Sequence, residues 1–314
     1  METPGHVRIA ESLGYERAWL YDSPALYPDV WMTLTRAAER TSTIGLGPGV
    51  LVPSLRHPMT NAAAAATLAL MAPGRVAVAI GAGFTGRHVL GQRPMRWADV
   101  AEYVRVLRAL LRGDAAVWEG ALIDMILPPG FVADRPIDVP ILIAADGPKG
   151  VAVANELGDG MFSAAVPQSD GPSWRALLQF GTVLDEHESP SDDRVLDAAG
   201  HGLAVVYHAL YERTGAGVDN VPGGATWREA IESVEPARRH LAVHENHLVS
   251  MSARDRDALR EGAPMLLAMS FSGTAAQLRE RVTQFEEAGV TELAYQPAGR
   301  DIPGELERMR DALA

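Results

Sequence analysis

The chain has 314 residues, of which 47% are hydrophobic and 22% charged, with a formal net charge of −12 and no cysteine. The acidic balance argues against a nucleic-acid or anionic-membrane partner, and the lack of cysteine excludes disulfides, thiol nucleophiles and cysteine-ligated metals. The longest apolar run, 62–72, is far shorter than the ~20 residues that span a bilayer, and the first residues lack a secretory signal pattern; we therefore expect a cytoplasmic protein.

The first 140 residues alternate apolar runs with segments of helical spacing. Strands are predicted at 17–21, 43–51 and 76–80, and helices at 7–13, 28–41, 57–70 and 99–112. A short hairpin is predicted within 116–126. Short apolar strands separated by helices indicate parallel pairing with helical crossovers.

The segment 142–162, LIAADGPKGVAVANELGDGMF, is the most informative part of the chain. An apolar run, a turn at Asp146-Gly147-Pro148, a helix and a second apolar run form the pattern of a β-α-β unit. The turn follows the carboxyl end of its strand, where α/β folds bind ligands. The next helix directs free backbone N–H groups at the loop, which favours an anionic cofactor. Lys149, the only lysine, is either a phosphate contact or a reflection of codon usage.

The remaining residues continue the alternation. Strands are predicted at 161–166, 177–184 and 292–296, and helices at 194–212, 253–261, 274–288 and 303–313. No clear period is found in 214–236, and 241–251 is predicted to be irregular or partly helical. The total is seven barrel-type strands in one domain, 1–314, because no linker or change of composition interrupts the chain.

Six segments of the chain form an ordered set: WLYD (19–22), AAERTSTIGLGPGVLVP (37–53), RHP (56–58), TLALMAPGRVAVAIGAG (67–83), PIDVPILIAADGPKGVAVANELGDGMF (136–162) and SGTAAQLRERVTQFEEAGVTELAYQP (272–297). Taken in this order, they resemble the bacterial-luciferase-like superfamily of flavin- and coenzyme F420-dependent oxidoreductases, and among them the methylenetetrahydromethanopterin reductase-type enzymes. The resemblance implies a TIM (β/α)8-type barrel with an insertion. The family's first strand has no counterpart before residue 7, so we expect that strand to be missing from this chain.

The resemblance also implies a cofactor, F420 or alternatively FMN, a small organic substrate and a homodimer. The matching cofactor positions lie after three strands and at a bulged, often cis, peptide: Asp22, Gly49, Val50, Gly81, Ala82, Gly83, Asp146, Gly147, Pro148 and Lys149. The catalytic candidates are Asp22, Ser23, His57 and Tyr295. Simpler alternatives are that Asp22 caps a turn and that His57 caps a helix. The loop after 141–145 is expected to open into the largest pocket.

Three departures from the family pattern support a different function. Tyr21-Asp22-Ser23 lacks the histidine that many F420-dependent relatives carry, Phe84 replaces a glutamate of some sugar-phosphate-oxidising relatives, and Asp146 places a carboxylate beside the phosphate loop. The alternative is a redox-inactive barrel, either a cofactor-free hydrolase-like enzyme or a non-catalytic subunit.

The histidines do not indicate a metal site in the sequence. The segment HLAVHENH places His240 and His244 on one helical face, but it lacks the H-E-x-x-H spacing of zinc proteases. We predict no metal, and interpret these residues, with His201 and His208, as structural or as lining a substrate pocket.

Overall fold

The computed structural model describes residues 2–167 and 171–314. It has a seven-stranded sheet and a separate antiparallel hairpin. The strands are β1 Arg17–Leu20, β2 Gly45–Leu51, β3 Val78–Gly81, β4 Ala116–Trp118, β5 Ala121–Ile123, β6 Ile141–Ala144, β7 Gly160–Ser163, β8 Trp174–Phe180 and β9 Glu292–Gln296. The sheet order is β1-β2-β3-β6-β7-β8-β9, and all pairs from β1 to β8 are parallel.

The chain forms two compact units. The first comprises Met1–Arg87, Gln92–Leu177 and Ala288–Glu292, and the second His88–Gly91, Leu178–Glu287 and Leu293–Ala314. The interpretation of residues 1–314 as a single domain stays a prediction.

Helices surround the strands of the first unit. They are α1 Thr3–Ser12, α2 Val30–Ala38, α3 Pro58–Met71, α4 Phe84–His88, α5 Trp97–Arg112 and α6 Pro148–Leu157. β3 and β6 are almost wholly buried, as expected for strands covered on both faces. Gly150 lets α6 approach closely, because a Cβ there would lie 2.4 Å from the Trp97 ring and 2.5 Å from the Ala145 Cβ.

The second unit is mainly helical. Its helices are α7 Asp193–Val195, α8 His201–Thr214, α9 Gly224–Glu232, α10 Arg239–Val243, α11 Ala253–Gly262, α12 Leu266–Met269, α13 Ala275–Glu287 and α14 Ile302–Leu313. Trp227, Tyr207 and Leu259 lie in a fully buried core built from α8, α9 and α11. The Tyr207 hydroxyl donates to the Pro222 carbonyl at 2.6 Å, so this core contains a satisfied polar group.

The prediction of seven strands is confirmed, and two details of the second unit were wrong. The segment 214–236 contains α9, whose Trp227 and Ile231 are buried one helical turn apart; the glycines and proline just before it hide this short amphipathic pattern. The strand predicted at 177–184 is β8 Trp174–Phe180. The apolar run is longer than the strand, because Val183 and Leu184 follow the end of β8 and are also buried.

Along the described residues, no helix has both the length and the apolar character that a bilayer crossing requires.

Candidate functional site

The carboxyl ends of β2, β3 and β6 lie side by side in the first unit. Gly81, the last residue of β3, pairs with Ala144 of β6. A Cβ on Gly81 would lie 3.1 Å from Val50 Cγ2 and 3.3 Å from the Ala144 Cβ. A side chain at this position would push Val50 or Ala144 aside by a few tenths of an ångström, so glycine favours the close packing. This packing brings Val50 and Gly81 beside the strand that leads into the 146–149 loop.

The peptide between Gly49 and Val50 is cis, and the register of β2 against β3 shifts between Gly49 and Leu51. The expected bulged cis peptide is therefore confirmed. A Cβ on Gly49 would lie 2.9 Å from the Trp19 Cβ, so Trp19 lies directly behind this glycine. The Trp19 indole N–H donates to Glu292 Oε1 at 2.6 Å, which fixes the ring.

The loop after β3 turns sharply at Gly83, whose φ is +80°. A Cβ there would lie 2.4 Å from Val52 Cγ1, so both the backbone conformation and the space require glycine. The Ala82 carbonyl accepts a hydrogen bond from the Met95 amide at 2.9 Å. α4 then begins at Phe84 and passes Ser23, whose Oγ lies 3.3 Å from a Cβ built on Gly86.

Asp22 follows β1 and is buried, with 3% of its surface exposed. Arg56 Nη1 donates to both carboxylate oxygens of Asp22 at 2.7 Å, and Arg56 Nη2 donates to Asp29 Oδ2 at 2.7 Å. Burial raises the pKa of Asp22, and the hydrogen bonds and charge of Arg56 oppose that rise. The result is a buried ion pair that joins the ends of β1 and β2 at the carboxyl edge.

A chain of buried hydrogen bonds holds the backbone at Arg56. The Trp31 indole N–H donates to Asn61 Oδ1 at 2.9 Å, and the Asn61 amide donates to the Tyr103 hydroxyl at 2.7 Å. That hydroxyl donates to the Arg56 carbonyl at 3.2 Å. Burial raises the pKa of Tyr103, which keeps its hydroxyl protonated as a donor. α2, α3 and α5 together therefore position Arg56.

The loop at 146–149 leads into α6, which begins at Pro148 after Gly147 with no side-chain cap. Asp146, Gly147, Pro148 and Lys149 are exposed, and a Cβ on Gly147 would meet no atom of the described residues within 4 Å. Asp146 Oδ1 accepts hydrogen bonds from the amides of 164 and 165 at 3.0 Å each. The carboxylate that could repel an anion is thus held by the neighbouring loop after β7, and among residues 2–167 and 171–314 the start of α6 is exposed.

The other catalytic candidates lie in different settings. His57 is exposed and caps α3, since its Nδ1 accepts from the Met59 amide at 3.1 Å. Its ring lies edge-on to Trp118, 6.1 Å between centroids. Tyr295 belongs to the second unit, and its hydroxyl donates to the Gly181 carbonyl at 3.1 Å. Of the catalytic candidates, Asp22 and Ser23 share the carboxyl edge with the cofactor positions.

Sequence reasoning missed the ion pair of Asp22 with Arg56. The pair spans 34 positions in sequence, so no local spacing reveals it. The one sequence signal for this pair is the arginine of RHP (56–58), a segment that belongs to the family resemblance. Asp29 and the Asn61–Tyr103 link were also missed, because they depend on the packing of three helices.

Two clefts of the described chain lie away from the loop at 146–149, and the expectation that this loop opens into the largest pocket stays a prediction. The larger, about 660 Å³, is lined by Arg112, Gly113 and residues 124–135 except 131, and the smaller, about 290 Å³, by residues around Pro136–Val139 and Asp159. Neither includes residues 146–149. The smaller cleft adjoins Ile141, where β6 begins, so it lies at the opposite end of that strand.

The chain matches the model of the luciferase-like monooxygenase family over residues 2–292. It is 28% identical to the 5,10-methylenetetrahydromethanopterin reductase of Archaeoglobus fulgidus, over 94% of this chain and 90% of that protein.

Two solved structures are similar in fold. The coenzyme F420 dependent tetrahydromethanopterin reductase from Methanopyrus kandleri superposes with a TM-score of 0.67 at 20% identity, over 99% of this chain and 94% of that one. The oxygenating constituent of 3,6-diketocamphane monooxygenase from Pseudomonas putida, in complex with FMN, superposes with a TM-score of 0.61 at 13% identity, over 98% of this chain and 89% of that one. The prediction of a luciferase-like TIM-barrel fold is confirmed.

Proposed function

Because the chain belongs to the luciferase-like monooxygenase family, we propose that it is an F420-dependent oxidoreductase acting on a small organic substrate. The similarity to a named reductase over nearly the whole of both chains supports this choice. The observation that carries the proposal is the arrangement at the carboxyl edge, where the cis Gly49–Val50 peptide and Gly81 lie beside β6, the strand that leads into the loop before α6.

The residues present fit a planar ring with a phosphate-bearing tail. In this proposal Val50, Gly81 and Ala144 form the apolar floor under the ring, since a Cβ on Gly81 would lie 3.1 Å from Val50 Cγ2 and 3.3 Å from the Ala144 Cβ. The amides of Gly147 and Lys149 make no hydrogen bond to other described residues, and the helix dipole of α6 favours an anion at this point. Lys149 adds a mobile positive charge at the same position.

When bound, F420 supplies hydride exchange at the C5 carbon of its deazaflavin, so the cofactor carries the difficult chemistry. In this proposal the protein orients the ring against the Val50 and Gly81 floor and holds the phosphate at the start of α6. Asp22, neutralised by Arg56, fixes the β1 and β2 ends that frame the ring. Ser23, His57 and Tyr295 remain the predicted candidates for proton transfer, although Nδ1 of His57 is already used as a helix cap.

FMN is the second candidate cofactor, since the FMN-containing monooxygenase component shares the fold. It would use the same floor and phosphate loop. The redox-inactive alternative rested partly on Asp146, and the engagement of that carboxylate with the amides of 164 and 165 weakens it.

We also propose a cytoplasmic location and a homodimer. The absence of cysteine fits a reducing compartment. Large exposed apolar side chains on the first unit, Met32, Ile126 and Phe131 among them, fit a protein surface covered by a partner. Light scattering during size-exclusion chromatography tests the dimer directly.

Separate equilibrium titrations of the purified protein with F420 and with FMN, followed by fluorescence, test the proposed function. We expect F420 to bind one per chain, more tightly than FMN. An intact fold that binds neither cofactor at tens of micromolar would remove the redox proposal, and preference for FMN would replace F420 as cofactor. Turnover with a panel of alcohols, aldehydes and imines, monitored through F420 absorbance, then identifies the substrate class.

A further inference from the structure

Three histidines lie against one another in the interior of the second unit. His208, on α8, and His244 and His247, which follow α10, expose 1%, 0% and 3% of their surfaces. The three ring centroids are 5.1 to 5.7 Å apart, and one ligand atom from each residue lies within 4.8 Å of the other two. Three buried imidazoles in this arrangement match the donor set that Zn²⁺ prefers.

A buried carboxylate fixes the orientation of His208. Asp255 Oδ1 lies 3.3 Å from His208 Nε2, and it also accepts the Trp227 indole N–H at 2.8 Å. Asp255 further belongs to the capping box at the start of α11 with Ser252, so its position is firmly set. A carboxylate at Nε2 favours the proton on that nitrogen and leaves Nδ1 with a lone pair. This is the carboxylate–histidine arrangement that supports metal-bound imidazoles.

The lone pair of His208 Nδ1 points at His247, since the two Nδ1 atoms are 2.9 Å apart. A hydrogen bond between the two rings accounts for this contact if His247 is protonated on Nδ1. That hydrogen bond does not involve His244. The Nε2 of His244 lies 3.5 Å from Glu212 Oε1, beyond a well-formed hydrogen bond, and its Nδ1 has no hydrogen-bond partner among the described residues. A buried nitrogen without a partner is costly, and a cation shared with His208 and His247 would satisfy it.

The charged groups beside the cluster also suit a metal. Glu212 adds a second carboxylate, whose Oε1 lies 3.5 Å from His244 Nε2. The surroundings therefore supply two negative groups to balance a divalent cation.

We propose that His208, His244 and His247 bind one Zn²⁺ ion, with Asp255 positioning His208 and Glu212 balancing the charge beside His244. An adjoining set, formed by His88, Glu212 and His244, shares one histidine with this site. The proposal commits to the three-histidine set, because two of its members are already in contact and one has a fixed tautomer. It is independent of the proposed redox function.

Metal binding to the full chain tests the proposal. Protein dialysed against a chelator is titrated with Zn²⁺ in competition with a chromophoric chelator, and with Co²⁺ while visible absorption is recorded. We expect one ion per chain, the d–d bands of a low-coordinate cobalt site, and a Tm several degrees higher with Zn²⁺ present. Wild-type protein that binds less than a tenth of an equivalent at micromolar concentrations would overturn the proposal.

Variants locate the ion and keep the test independent of folding defects. His247→Asn should abolish binding, and Asp255→Asn should weaken it by about 10- to 100-fold. His240→Gln, in the same segment but outside both sets, serves as the matched control and should bind like the wild type. Glu212→Gln should retain the ion with reduced affinity. Loss of binding in Glu212→Gln with retention in His247→Asn would move the ion to the adjoining set and refute the three-histidine site. Circular dichroism confirms the fold of each variant.

Discussion

Replacing Arg56 by glutamine tests the buried ion pair at the carboxyl edge. The substitution removes the guanidinium that donates to both oxygens of Asp22. Among the described residues, the Val52 amide, 3.5 Å from Oδ2, is then the remaining donor. Asp22 then carries a buried charge without a cation. Breaking a buried pair by removing one partner costs about 3–5 kcal/mol. The side chain of Arg56 is 14% exposed, and glutamine can still donate a hydrogen bond to Asp22. Because both reduce the cost, we expect the free energy of unfolding to fall by about 2–3 kcal/mol at pH 8.

The cost in Arg56→Gln should depend on pH in a defined direction. Burial already raises the pKa of Asp22, and removal of Arg56 raises it further. Between the unfolded pKa of about 4 and the raised folded pKa, the folded state binds more protons than the unfolded state. The free energy of unfolding therefore falls as the pH rises through this window. The variant should be less destabilised at pH 5 than at pH 8.

Urea unfolding followed by circular dichroism at both pH values measures these differences. The double variant Arg56→Gln/Asp22→Asn removes both charges and should recover most of the lost stability at pH 8. Arg96→Gln is the matched control, since Arg96 pairs with Asp99 at the surface and its loss should leave the free energy of unfolding almost unchanged. A single variant as stable as this control at pH 8, or a double variant no better than the single, would refute the reasoning.

Three further predictions follow from individual residues. Lys149→Gln should weaken F420 binding about 5- to 10-fold and leave the Tm unchanged, because it removes one charge-assisted contact. The control Arg8→Gln, on α1, should leave the affinity for F420 unchanged. Equal affinities in the two variants would contradict the role of Lys149 in phosphate binding. Gly83→Ala should lower the free energy of unfolding, measured in urea, by about 2–3 kcal/mol. The reason is that φ at this position is +80° and that the alanine Cβ would lie 2.4 Å from Val52 Cγ1. A variant as stable as the wild type would contradict the loop geometry. Burial lowers the pKa of His201 to about 4, so the unfolded state binds a proton at a higher pH than the folded state does. The free energy of unfolding should therefore fall by about 3 kcal/mol between pH 6.5 and 4. In His201→Leu this part of the pH dependence should disappear, and an unchanged dependence of stability on pH would show that His201 does not contribute.

The carboxyl edge could be predicted from sequence because its signals are local. Apolar runs locate the strands, and glycine marks the places where neighbouring side chains lie close to the backbone, as at Gly81 and Gly83. The start of α6 was also readable, since a Gly-Pro turn after an apolar run is a strong boundary signal. Parallel pairing then places these turns on one edge without further information.

The contacts between distant residues could not be read in the same way. Asp22 and Arg56 meet only because β1 and β2 pair, and sequence spacing does not report the direction of a side chain. The histidines of the second unit show the same limit. His208 lies 36 positions before His244, and their proximity depends on the packing of α8 against the segment after α10. The spacing within HLAVHENH alone therefore argued against a metal.

Chemical labelling of Lys149 tests the central claim, that the loop before α6 holds the cofactor phosphate. Since the chain has one lysine, an amine-reactive reagent modifies only Lys149 and the terminal amine, and peptide mass spectrometry separates the two rates. We predict that F420 slows the labelling of Lys149 saturably, at the concentrations at which it binds in the fluorescence titration, while the terminal amine reacts as before. Unchanged labelling of Lys149 at saturating F420 would contradict the claim.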